Sequence, residues 1–206
     1  EIYTLSLHDA LPIWSATDKQ LALSELASYQ LQNHGFYAAP DRSFALVGTA
    51  AGVFRYVPPA TADGQWQVSC LVINPTSDMA MADFDGDGKD EIITISRFHG
   101  DTLSVWHEDA TPDRYVKVWE DPQRRDFLHA IWAGRLAGSV CAVMGNRKDG
   151  RDLLRVWFEN GGYHVEVIDH DRGPANVWVF EDGGASHIIS ANRETDEVAL
   201  YAVSAT

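Results

Sequence analysis

Cysteine is scarce in this 206-residue chain, with Cys70 and Cys141 alone. Two thiols cannot build a disulfide framework, and these two lie too far apart for a metal knuckle. Both sit in apolar, strand-like runs, which predicts buried thiols. Basic residues are also few: 16 Lys and Arg stand against 30 Asp and Glu, a formal net charge of −14. So acidic a surface repels phosphate backbones, and nucleic acid is not expected as a partner. No run reaches about eighteen apolar residues, so no membrane-spanning helix is expected. What is present is 45% hydrophobic and 22% charged residues. That composition excludes wholesale disorder, and the length suits one domain or part of a larger one.

Self-similarity organises most of the chain. Short alternating segments end in an aromatic at Tyr56, Trp106, Trp157 and Tyr201, spaced by 50, 51 and 44 residues. An apolar run precedes each: FALVGT, EIITIS, VCAVMGN and HIISAN. Ahead of those stand GFYAA, MAMADF, HAIWAG and NVWVFE, and the first three periods add QWQVSCLVI, RYVKVWE and GYHVEVID. Gly, Asp, Asn and Pro punctuate the runs. Four short strands recurring in phase predict an all-β fold: a β-propeller fragment of about four four-stranded antiparallel blades. A lone blade cannot cover both faces of its sheet, so blades must stack. An ordinary antiparallel sandwich is the alternative, but it does not require strands to recur in phase.

The blades are placed at about 34–73, 79–120, 129–169 and 175–203. Residues 14–33 are read as the remnant of a preceding blade, with a strand around 21–31; the Leu, Ala and Glu of LALSELASYQL favour helix as the alternative, and its place in the repeat argues for strand. The last blade has three strands before the sequence ends. The expectation is the last four blades of a six- to eight-bladed protein, or a four-bladed ring closed by residues 21–31.

The sharpest motif is Asp83-Phe84-Asp85-Gly86-Asp87-Gly88-Lys89-Asp90-Glu91. Carboxylates at the first, third and fifth places of a glycine-bearing loop converge on one point, and hard oxygen donors select Ca²⁺. The Lys89 carbonyl and the Glu91 carboxylate would complete the shell. An EF-hand is excluded, because its twelfth place would be Thr94 and its flank is strand. DFDGDGKDEIITI resembles the Asp-rich loop of FG-GAP/VCBS repeats, which build Ca²⁺-binding propellers of the integrin-α type. Glu91 stands where that family more often has Asp, and AAPDRS, AGRLAGS and EDGGAS replace the loop in the other blades. The resemblance implies a Ca²⁺ ion that either braces the hairpin or holds a ligand through an open position. It also implies an extracellular, cell-surface or periplasmic setting.

In a propeller, the connections opposite the acidic hairpin share one face. His34, Asp78, His129 and Asn176 open the first strands there. Arg97, Arg147 and Arg193 end the second strands, with His99, Asn146 and Asn192 beside them. Three guanidinium groups around one funnel suit carboxylates. Alternatively, each Arg pairs with a nearby acid such as Asp101, Asp149, Asp152 or Glu194. His129 has the alternative of a backbone hydrogen bond. Trp106, Trp132, Trp157 and Trp178 are read as core, and Trp66 and Trp119 as rim.

Two functions compete. The first is a Ca²⁺-braced module that binds a glycan or protein partner, as part of a larger secreted or surface protein. The second is a polysaccharide lyase, in which Arg97, Arg147 or Arg193 neutralises a uronate while His129 or His34 removes the α-proton. A third reading has the funnel bind sugar while another domain performs the chemistry.

Residues 1–13 read EIYTLSLHDALPI. They resemble the conceptual translation of a common sequencing adapter, all thirteen in one frame. They are therefore read as non-native, with a genuine N-terminal strand as the alternative. On this reading His8 and Asp9 carry no function and the native N-terminus is missing.

Overall fold

The computed structural model describes residues 15–16, 19–20, 25–61 and 63–203. The adapter-like segment 1–13 lies outside them. A two-residue pair, β1 (Ser15–Ala16) and β2 (Lys19–Gln20), comes first. Four antiparallel sheets then follow in strict sequence order. The first holds β3 (Phe36–Ala38), β4 (Ala45–Thr49), β5 (Gly52–Val57) and β6 (Gln67–Val72). The second holds β7 (Asp78–Ala82), β8 (Glu91–Ser96), β9 (Thr102–Glu108) and β10 (Tyr115–Glu120). The third holds β11 (Leu128–Leu136), β12 (Ser139–Asn146), β13 (Leu153–Glu159) and β14 (Gly162–Asp169). The last has three strands: β15 (Pro174–Asp182), β16 (Ala185–Asn192) and β17 (Glu197–Val203). The fold is an all-β segment of four blades, each made by consecutive hairpins.

Alternation explains how the blades stack. Successive side chains on a strand point to opposite faces. On β8, Ile92 packs toward the first sheet with Leu46, Val53 and Met79. Its neighbours Ile93 and Ile95 pack toward the third sheet with Ala142, Met144 and Leu154. Both faces are therefore covered, and every residue of β8 is buried. On β12 the same rule sends Ala142 and Met144 toward the second sheet. Cys141 and Val143 pack instead with Val179 and Ile188 of the last sheet. Gly145 marks how closely two sheets approach: an added Cβ would sit 2.2 Å from the Pro174 carbonyl oxygen.

One polar contact is sealed inside this stack. The Trp106 indole N–H donates to Thr94 Oγ1 at 2.9 Å, and both residues are buried. Thr94→Val leaves the indole donor without a partner at nearly unchanged volume. The expected cost is about 1 kcal/mol, read as a lower urea midpoint at unchanged slope. An unchanged midpoint would contradict this account of the contact.

Four expectations need correcting. Residues 25–31 form no strand; they run as loop across the first sheet, sharing a cavity with Phe36, Val47, Tyr56 and Trp66. The remainder of the expected 21–31 strand, residues 21–24, lies outside the described residues. Cys70 is exposed, because β6 is the outermost strand of its blade; Cys141 is buried. Trp178 is 58% exposed, on a face of the last sheet that no further sheet covers among the described residues, where it stacks on Phe180. Trp119 is not a rim residue: it is half-buried beside Tyr163, against the core between the second and third sheets.

Candidate functional site: an acidic hairpin and a histidine-lined mouth

The acidic loop is the β7–β8 hairpin connection. Two left-handed glycines, Gly86 (φ 79°) and Gly88 (φ 89°), permit its turns. Its carboxylates fold the loop by accepting backbone N–H groups. Asp83 takes Gly86 on one oxygen (2.8 Å) and Gly88 on the other (3.1 Å). Asp85 takes Asp87 (3.1 Å), and Asp87 takes Lys89 (2.8 Å). These bonds leave further lone pairs on each carboxylate. Oxygens of Asp83, Asp85 and Asp87 lie within 4.8 Å of one another. Lys89 offers the loop its backbone, and its side chain is exposed.

Glu91 closes the set from below. It is fully buried. One oxygen accepts the Phe84 N–H at 2.8 Å, while Oε1 is buried with no hydrogen-bond partner. Burial pushes its carboxyl up to about 7, and the charge of Asp85 adds to that. Glu91 groups within 4.8 Å with Asp85 and His107, and Asp85 is shared with the cluster above; a buried, unpartnered carboxylate oxygen next to such a cluster fits a hard cation. The expected ligands Asp83, Asp85, Asp87 and Glu91 are thus assembled at one hairpin, with the Lys89 backbone at its edge.

His107, on β9 of the same blade, was not anticipated from the sequence. Its Nε2 donates to Asp87 Oδ2 at 3.1 Å and lies 3.6 Å from Glu91 Oε1, beyond good hydrogen-bond reach. Its Nδ1 donates to the Glu108 carbonyl at 2.7 Å. Carboxylate and carbonyl oxygens only accept, so this geometry holds a proton on both ring nitrogens. Burial works against that charge, but the bonds to Asp87 and Glu108 outweigh it and raise the imidazole's pKa. The available signal was the strand pairing, which sets Trp106 opposite Ile92 and brings the next residue level with Glu91.

At the other end of the inner strands, a cavity of about 260 Å³ is lined by His34, Asp78, His129 and Asn176, among others. His34 lies two residues before β3, and Asp78, His129 and Asn176 lie within the first three residues of β7, β11 and β15, so four successive blades converge there. The cavity and the acidic hairpin stand at opposite ends of β7, about 13 Å apart along the strand. His129 Nδ1 donates to the Ala175 carbonyl (2.8 Å), as its bland alternative anticipated, and His34 Nδ1 to the Ser77 carbonyl (3.2 Å). His99 stacks on Phe127 with ring centres 4.6 Å apart. Burial, followed by the charges of His34, His129 and Arg147, lowers its pKa. Burial also lowers that of His129. Burial pushes the Asp78 carboxyl up to about 7, although Met79 and Ile131 donate to it.

The arginines do not join this cavity. Arg147 is held by Glu194 (2.7 Å) and lies over the Phe127 ring (4.6 Å). Arg97 and Arg193 are exposed, and neither makes an ion pair among the described residues. Other acids named as partners are engaged elsewhere: Asp101 with Arg124, and Asp152 with Arg125 and His170. The structure therefore brings His34 and His129 together and leaves Arg97, Arg147 and Arg193 outside their pocket. A scan against protein-family models and a search of curated proteins gave no match to this chain.

Proposed function

We propose that this chain is a Ca²⁺-braced β-propeller segment of the FG-GAP/VCBS type that acts as a binding module. The reading rests most on the buried Glu91 oxygen that lacks a partner, grouped with Asp85 and His107 and joined through Asp85 to the Asp83–Asp85–Asp87 cluster. In this reading the Lys89 carbonyl joins those four carboxylates. The ion offsets their mutual repulsion and holds the β7–β8 hairpin in place. The affinity expected of such a loop is that of extracellular modules, about 10⁻⁴–10⁻³ M, which suits a secreted or surface setting.

The partner, a glycan or a protein, engages the opposite mouth, where Asn176 is exposed and Asp78, His34 and His129 line the cavity. The lyase reading is weaker, because it needs an Arg beside the histidine base and none lines that cavity. The test is binding to an array of neutral and uronate-containing glycans in about 2 mM Ca²⁺. Binding lost in Asn176→Ala supports a glycan-binding mouth. Equal binding by that variant places the glycan site elsewhere, and release of unsaturated products from uronate polymers would favour the lyase.

A further inference from the structure

The mouth carries a second constellation, separate from the acidic hairpin. Ring nitrogens of His34, His99 and His129 lie within 4.8 Å of one another. Their ring centres are 4.9, 5.2 and 5.3 Å apart. With Zn–N near 2.0–2.1 Å, imidazoles sharing one tetrahedral ion have ring centres about 5 Å apart. We propose that these three histidines form a site for a borderline divalent transition metal, Zn²⁺ being the leading candidate, with an open fourth position at the mouth.

Three observations carry this beyond proximity. The Nδ1 atoms of His34 and His129 face backbone carbonyls, which fixes their protons there and leaves Nε2 of each as the electron-pair donor. This is how metal-bound histidines are oriented by their outer partners. His99 Nδ1 is buried without any hydrogen-bond partner. Finally, the backbone is held in the left-handed region at three non-glycine residues around the cluster: His99 (φ 48°), Phe127 (φ 62°) and Ala130 (φ 50°). Thirteen non-glycine residues take this conformation among the described residues, and these three set the backbone that presents His99 and His129.

The three residues come from three blades, so an ion here ties the blades together at the axis. Phe98 and Phe127 shield the rings, at 4.2 and 4.6 Å from His99. The nitrogen spacing is wider than the roughly 3.3 Å of two donors on one Zn²⁺. Binding therefore requires the rings to turn inward, most freely at exposed His34, whose Nδ1 contact with the Ser77 carbonyl is long at 3.2 Å. Imidazole donors select Zn²⁺ and its neighbours over Ca²⁺, whereas the hairpin's oxygens do the reverse. Asp78 and Asn176 share the cavity and offer hydrogen bonds to a water or ligand oxygen in the fourth position.

The test uses the full chain, free of any polyhistidine tag, treated with chelator and returned to about 10 mM Ca²⁺ so that the hairpin is filled. Co²⁺ is then titrated and its visible ligand-field absorption recorded. The expected result is one Co²⁺ per chain, displaced by Zn²⁺. It should bind at least about tenfold more weakly in His34→Gln and His129→Gln, and unchanged in Asp85→Asn. His34 is exposed, so His34→Gln should retain the fold, checked by its melting curve. No ligand-field band overturns the proposal. So does a band kept in both histidine variants, or one lost in Asp85→Asn, which would place the ion at the hairpin with His107. Because Ca²⁺ binding is measured separately, failure here leaves the hairpin reading untouched.

Discussion

Returning about 10 mM Ca²⁺ to the chelator-treated chain raises its melting temperature by about 5–10 °C. A site with a dissociation constant near 10⁻⁴ M is then about a hundredfold saturated, which stabilises the folded state by about 2.7 kcal/mol. For a chain of this length each kcal/mol moves the midpoint by about 2–4 °C. In Asp85→Ala and Asp87→Ala the same addition moves it by less than about 2 °C, because each removes a charged oxygen donor. Without Ca²⁺, Asp85→Ala relieves the charge that Asp85 adds to the burden on buried Glu91, whereas Asp87→Ala loses the bonds to the Lys89 N–H and His107 and starts from a lower midpoint. Mg²⁺ does not substitute, because it demands near-octahedral geometry and sheds water reluctantly. Equal shifts in all three proteins would show that the ion acts elsewhere.

Asp78→Asn makes the protein more stable at pH 8 by about 2 kcal/mol and leaves it nearly unchanged at pH 4. The Asp78 carboxyl titrates near 3.8 when unperturbed and is pushed up to about 7 by burial in the mouth. Between those values the folded state holds a proton that the unfolded chain has released. Stability therefore falls as pH rises through that window and is flat above it. The full shift would correspond to more than 2 kcal/mol, but the cavity admits water and screens the charge. Asn retains an acceptor for the Met79 N–H, bonded at 3.0 Å. Urea unfolding at several pH values checks this. His99 and His129 titrate in both proteins, so the difference between the two profiles isolates Asp78. Parallel profiles would contradict a buried, destabilising carboxylate.

The strand order was legible because each blade is local. Every sheet is made of consecutive hairpins, so the period-two pattern and the Gly/Asp punctuation carry the topology without any long-range pairing. EIITIS reads as an apolar inner strand, and as β8 it is buried throughout. Residues 25–31 are neither the strand that their place in the repeat implied nor the helix that Leu, Ala and Glu favour, because neither periodicity nor propensity says what the segment packs against. The apolar character of Cys70 and Trp178 was legible, but not whether a neighbouring sheet covers them.

The acidic hairpin was legible for the same local reason: its donors lie within nine residues. His107 was not, because its approach depends on the register between β8 and β9. In the mouth, equivalent positions in successive blades predicted that His34, Asp78, His129 and Asn176 meet. The same argument failed for the arginines. Their long side chains leave the strand ends, and Arg147 swings to Glu194 and over Phe127. Repeat position fixes where a Cα stands, and short side chains follow it more faithfully than long ones.

Calorimetric titration of Ca²⁺ into the full chain, compared with Glu91→Gln, tests the central claim most directly. One ion per chain, bound at least about tenfold more weakly when the buried carboxylate becomes an amide, is the predicted result. Absence of saturable Ca²⁺ binding, or the same affinity in both proteins, would mean that the unpartnered oxygen of Glu91 does not await a cation.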